Sequence, residues 1–300
     1  TDVHRIVSVL LHSAAGELVG HVAALLFGLA EVAPLAKLAF LLHPVHVEAV
    51  ANCANRPHVL AVLCALAVVL GWVELEESWA RAHRLDRATF YGVLASIWAF
   101  GLLSCETAIF SLPALLLTAW TILDRREIRT GRSWPAATFA AVALAYLAGR
   151  HHFDTLTIPK GLIRPAENPY YDLDGFHRAV NYLHILVLHI FKANGFFFNG
   201  PVDMSHEYGF DCIPQIRYPY YDDRRMLYVV PVVLLLVAAA LGAFFAAWRE
   251  TSPRKSRRIV LLALTYLAFL ATLFPVSGII RVGTFVADRI VFPYSVATSI

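Results

Sequence analysis

The residues able to do chemistry gather in three short stretches. The first is His43-Pro-Val-His-Val-Glu-Ala-Val-Ala-Asn-Cys-Ala-Asn-Arg-Pro-His58. On a helical turn His43 and His46 share a face, and Glu48 lies to one side. A carboxylate that takes a proton beside a guanidinium that grips oxyanions suits a substrate or phosphate site, with Glu48 and Arg56 as its actors. The H-x-x-H-x-E spacing also admits a metal ion, but it is a weak metal signature, and neither a metal nor a cofactor is expected. The same residues also fit a helix-hairpin turn whose polar groups satisfy one another.

The second stretch is Ser104-Cys105-Glu106-Thr107, which leaves two apolar runs with scarcely a loop between them. Glu106 reads as a general base, as an anchor for a nearby cation, or as a packing carboxylate paired with His or Arg. The third holds Arg281, Asp288 and Arg289. If that segment is helical, Arg281 and Asp288 fall nearly two turns apart on one side. Arginine is the preferred partner of phosphate, because its fork is bidentate and always charged. Near a membrane surface these arginines suit a lipid phosphate. The same spacing also fits charges snorkelling to the interface.

Membrane helices must position these groups. The chain is 58% hydrophobic and 16% charged, against roughly 25% charged in soluble domains, and its mean hydropathy is +0.60. Apolar runs separated by short charged loops are the pattern of bilayer-crossing helices. The expected membrane segments are Ile6–Leu29, Ala33–His43, Pro57–Val73, Ala88–Leu103, Thr107–Leu123, Pro135–Ala148, Met226–Trp248, Ile259–Phe274 and one from Ile290 onward, about nine in all. They divide the chain into N-terminal transmembrane helices over 1–149, a lumenal or interfacial region over 150–225, and C-terminal transmembrane helices over 226–300. Between Arg150 and Arg225 the sequence turns rich in Tyr, Asn, Asp and Pro. Within it Phe176–Phe198 is amphipathic, its apolar residues interrupted by His177, Asn181, His184 and Lys192.

Charge sets the sidedness. Glu74–Arg87 carries three arginines, Asp124–Arg132 four, and Arg249–Arg258 five basic residues. The positive-inside rule places all three loops in the cytoplasm. Parity then requires that Phe176–Phe198 does not cross, so it reads as an interfacial or re-entrant helix. All three chemical stretches fall on the opposite face, together with Arg150-His-His152. Charges at span ends are expensive and mark function. The net charge of +3 points to no nucleic-acid partner. The four cysteines, Cys53, Cys64, Cys105 and Cys212, lack CxxC spacing and suggest neither a zinc site nor a disulfide framework. The chain begins at Thr1 without methionine and stops at Ile300 inside an apolar run, so both ends read as cuts through a larger protein.

Taken together, the stretches carry a resemblance. His43-Pro-Val-His-Val-Glu-Ala-Val50 with Asn55-Arg56 resembles a segment of the transmembrane-and-tetratricopeptide-repeat protein O-mannosyltransferases. Leu102-Leu-Ser-Cys-Glu-Thr107, Asn168-Pro169 and Phe274-Pro-Val-Ser…Arg281-Val-Gly-Thr-Phe-Val-Ala-Asp-Arg289 are similar to further motifs of that family, in the same order. The resemblance implies an all-α, GT-C-like glycosyltransferase fold in the endoplasmic reticulum membrane. It implies transfer of mannose from dolichyl phosphate mannose to Ser or Thr hydroxyls of secretory-pathway proteins. Its expected partners are membrane lipids, the dolichol-linked donor and the acceptor proteins. Glu48, Glu106 and Asp288 would be catalytic, while His43, His46, Arg56, Arg281 and Arg289 would bind substrate and lipid phosphate. The family's first helix and acidic first lumenal loop would precede Thr1. Cys105 replaces a basic residue of the family motif, and Asp288 replaces a Glu. The alternative is a non-catalytic GT-C-like structural subunit of a membrane complex. A transporter fits less well, since the polar residues sit at one face and not at the midplane.

Overall fold

A computed structural model describes residues 2–78, 84–113, 134–153, 168, 170, 172–194, 213–250, 263, 266, 270–279 and 288–300. Among these residues the chain is helical and has no strand. Helix α1 (Asp2–Phe27) ends where Gly28 adopts φ 71°, a left-handed cap that side chains resist. Helix α2 (Val32–Leu41) folds back against it. A one-turn link leads through α3 (His46–Ala51) into α4 (Arg56–Ser78), which packs on both α1 and α5 (Arg84–Ser104). Helix α6 (Trp134–His152) leans on α5. Helix α7 (Gly175–Ala193), the amphipathic stretch, packs on α8 (Met226–Arg249) and on α9 (Asp288–Ser299).

Among the described residues, three helices are long and apolar enough to cross a membrane: Asp2–Phe27, Cys53–Glu74 and Met226–Ala246. The last buries only 6% of its apolar window inside the protein. Leu227, Leu234, Leu235, Phe244 and Trp248 face outward along it, as suits hydrocarbon but not water. The expectation of about nine crossings therefore needs correction. The Ala33–His43 segment is a helix of 10 residues, about 15 Å long and half of a ~30 Å hydrocarbon core. The apolar part of α5, Ala88–Ser104, falls short of a full span. The segment expected from Thr107 starts as a 3₁₀ turn over Glu106–Ser111, with residues 114–123 outside the described set. Most of Ile259–Phe274 also lies outside it, and its end is a 3₁₀ turn over Ala271–Val276. The final segment begins as α9, with Pro293 inside it.

The core has two parts that meet on α9. Phe292 and Val296 join a cluster built from α1, α2, α4, α5 and α6. Ile290, Val291 and Tyr294 join a second cluster with Val45, Tyr182, Ile185 and Leu273. Helix α7 packs one face into the protein. Asn181 is fully buried, donating to the Ile216 carbonyl at 3.1 Å and accepting from the Ile216 amide at 2.7 Å. Gly278, at φ 77°, lies so close to Tyr182 of α7 that a Cβ there would collide with ring atoms Cγ and Cδ2. Left-handed backbone and lack of space both demand glycine. Gly278→Ala should lower stability by roughly 1–3 kcal/mol through overpacking and strain. Thermal unfolding in detergent checks this, with the midpoint expected to fall.

Candidate functional site

The His43–His58 stretch is a hinge between two helices, and its prolines make it so. Pro44 cannot continue α2, and Pro57 takes a first-turn position of α4 where a missing N–H costs nothing. Asn52 turns the chain between them, its Oδ1 accepting from the Ala54 amide at 3.0 Å. The hinge carries His43, His46 and Glu48 against the start of α9.

Glu48 is buried, with its side chain 7% exposed. Its Oε1 accepts from Arg289 Nη1 at 2.5 Å and from Asn55 Nδ2 at 3.2 Å. Its Oε2 accepts from the Arg289 backbone N–H at 3.1 Å. The carboxylate thus meets the positive end of α9 from outside and pairs with a side chain of the same helix, two favourable effects on one group. Asp288 is the first residue of α9.

His46 is held on both nitrogens. Its Nδ1 lies 2.8 Å from His12 Nε2 and its Nε2 lies 2.7 Å from Ser295 Oγ. Ser295 Oγ donates to the Phe292 carbonyl at 2.6 Å, so its oxygen accepts from His46 Nε2–H. His46 Nδ1 then accepts from His12 Nε2–H, and the network assigns one tautomer to each ring. The rings of Phe40 and Phe292 close around His46, at 4.4 and 4.5 Å between centroids. His43 stacks on it at 5.2 Å, and its Nε2 donates to the Ala193 carbonyl of α7 at 2.9 Å. Burial pushes His46 down to about 2, with His12 and His43 adding to the shift, and burial lowers His43 as well. Both rings are neutral.

Arg56 points elsewhere. It donates through Nε to Ser8 Oγ at 3.2 Å and through Nη2 to the His4 carbonyl at 2.9 Å, tying α4 to α1. Glu106 is ion-paired with Arg150 of α6, and its side chain stays 58% exposed. Cys105 Sγ lies 2.9 Å from Thr107 Oγ1 and 3.5 Å from His58 Nδ1, and burial raises its thiol pKa. Arg281 lies outside the described residues.

One residue that sequence reasoning did not select joins these parts. His58, on the first turn of α4, has its Nδ1 3.5 Å from the Sγ of Cys105, the neighbour of Glu106. His12 and Ser295 were missed too. A lone histidine inside an apolar span is itself a signal, since polar groups there seek partners. Ser295 carried no such mark. Among the described residues, no group of three His, Cys, Asp or Glu side chains could hold a metal ion.

Fold and site together define a helical membrane protein with a polar junction where α3, α4 and α9 meet. The chain matches no family model, no curated protein and no solved structure.

The neutral His46 makes a pH prediction. Its folded pKa lies below its unfolded value, near 6.5, so the unfolded chain takes up the proton first as pH falls. Its contribution is fully present above pH 6.5 and is lost as pH drops below it, with a slope of up to about 1.4 kcal/mol per pH unit. Unfolding midpoints of the wild-type protein and His46→Asn, compared from about pH 8 to pH 5, should show the steeper loss in the wild type.

Proposed function

We propose that the chain is the membrane portion of a GT-C-like glycosyltransferase of the endoplasmic reticulum. It moves mannose from dolichyl phosphate mannose to Ser or Thr hydroxyls of secretory-pathway proteins. One observation supports this reading above the others. The three stretches lie far apart in the chain, yet Arg289 pairs with Glu48, and Cys105, the neighbour of Glu106, lies with its Sγ 3.5 Å from His58 Nδ1 at the end of the Glu48 stretch. Separate motifs that gather charged groups at one junction suit a reaction centre better than a set of independent loops.

Glu106 is the better base of the two glutamates, because it is open to solvent while the Glu48 oxygens are occupied. In the proposed step the acceptor hydroxyl oxygen attacks the mannosyl C1 and its proton passes to Glu106. The bond from C1 to the phosphate oxygen breaks with inversion, and dolichyl phosphate leaves. Arg289 and Arg281 are assigned to the departing phosphate, a charge-stabilising role. Asp288 is assigned beside them, and His43 and His46 to holding the hinge that frames the cleft.

A second reading has its own support. Glu48 accepts hydrogen bonds from the Arg289 side chain, the Arg289 backbone and Asn55, the pattern of a structural cap. A non-catalytic membrane subunit would need no more than that. The two readings part on one assay: transfer of labelled mannose from dolichyl phosphate mannose to a Ser/Thr peptide, by membranes holding the full protein. The transferase reading expects transfer, reduced about 10²- to 10⁴-fold by Glu106→Gln. No transfer by a folded, full-length protein would establish the structural reading instead.

A further inference from the structure

Four described arginines, Arg56, Arg150, Arg225 and Arg289, direct their N–H groups to protein oxygens. Arg178, on the first turns of α7, does not. Its Nε and Nη2 are shut off from solvent, and among the described residues neither has a hydrogen-bond partner. Neither Asp172 nor Asp174, the nearest acids in sequence, is hydrogen-bonded to those two atoms. A guanidinium with two inaccessible N–H groups cannot escape by losing its proton, as a lysine or histidine does. Leaving those N–H groups without an acceptor is unfavourable.

The orphaned atoms are informative. Nε–H and Nη2–H point the same way along one edge of the guanidinium, the edge that meets two oxygens of a phosphate or carboxylate at once. That edge is held in place. Arg178 Cζ stands 5.5 Å from the centroid of the Tyr182 ring. Tyr182 is fixed in turn by Asn168, 3.1 Å from its hydroxyl, and by the Gly278 backbone against its ring. A fork fixed by packing loses little entropy when it binds.

We infer that Arg178 is a binding site for a phosphate oxyanion, with Tyr182 and the Gly278 turn as the frame that aims it. The phosphate is borne by a membrane lipid or is free. The inference deepens the transferase reading by locating a phosphate contact on α7, and it rests on that reading only for the lipid's identity.

Binding tests it directly. The full protein, in phosphatidylcholine nanodiscs, is titrated with an isoprenyl monophosphate and separately with inorganic phosphate. The wild type should bind the isoprenyl phosphate saturably. Arg178→Gln should weaken that binding about tenfold or more, and Arg178→Lys should recover it only in part, since an ammonium lacks the two-pronged edge. Inorganic phosphate that competes identifies the oxyanion alone as the ligand, and failure to compete while the lipid binds assigns the site to a lipid. Without ligand, Arg178→Gln should unfold no more easily than the wild type, because it removes an unpaired buried charge. Equal binding by Arg178→Gln, no binding of either probe by the wild type, or a large loss of ligand-free stability in Arg178→Gln would overturn the inference. Phosphate binding without mannose transfer would instead count against the transferase reading alone.

Discussion

The pair of Glu48 with Arg289 closes the fold. It spans 241 positions of sequence and joins the hinge between α2 and α4 to the first turn of α9. Among the described residues, helix α9 is the one helix whose side chains belong to both core clusters, through Phe292 and Val296 on one side and Val291 and Tyr294 on the other. Its start is fixed by a carboxylate that meets its backbone and its side chain together. The His12–His46–Ser295 chain runs parallel to that contact and ties the same hinge to the middle of α9. Loss of the ion pair would leave a buried carboxylate facing an uncapped helix, the costly kind of vacancy in a low-dielectric interior.

The same economy of charge governs the rest of the junction. Buried imidazoles stay neutral and take part as directional donors and acceptors, so no bare cation sits among Phe40 and Phe292. The guanidiniums of Arg56, Arg150, Arg225 and Arg289, which cannot become neutral, are each given oxygens, whereas Nε and Nη2 of Arg178 are buried without one. The solvent-open pair of Glu106 and Arg150 lies at the edge of this region. An ion pair so exposed contributes little stability. Its carboxylate stays exposed, whereas the Glu48 carboxylate is buried against α9.

Much of this was legible in the sequence. The apolar runs within α1, α4 and α8 stand out by composition, and Pro44 and Pro57 mark the hinge between α2 and α4. The amphipathic pattern of α7 follows from His177, Asn181 and His184 among apolar residues, and parity of charged loops kept it from being read as a crossing. Local pattern could not reveal that α2 is too short to cross, because an apolar run and its flanking turn look alike in hydropathy. Nor could it show that Arg56 turns toward Ser8 and His4 while Arg289 takes Glu48. Both arginines had the right chemistry for the carboxylate, and only long-range packing chooses between them. His58 was overlooked for a similar reason, since its neighbour Cys105 comes from a separate segment.

The central claim, that Glu48 and Arg289 together hold the hinge against α9, is tested most directly by a double-mutant cycle on unfolding free energy. The variants are Glu48→Ala, Arg289→Ala and the double, measured in the same detergent. The account predicts a coupling energy on the order of 2–3 kcal/mol, near the upper range for groups in direct contact. Additive effects, with a coupling near zero, would contradict it.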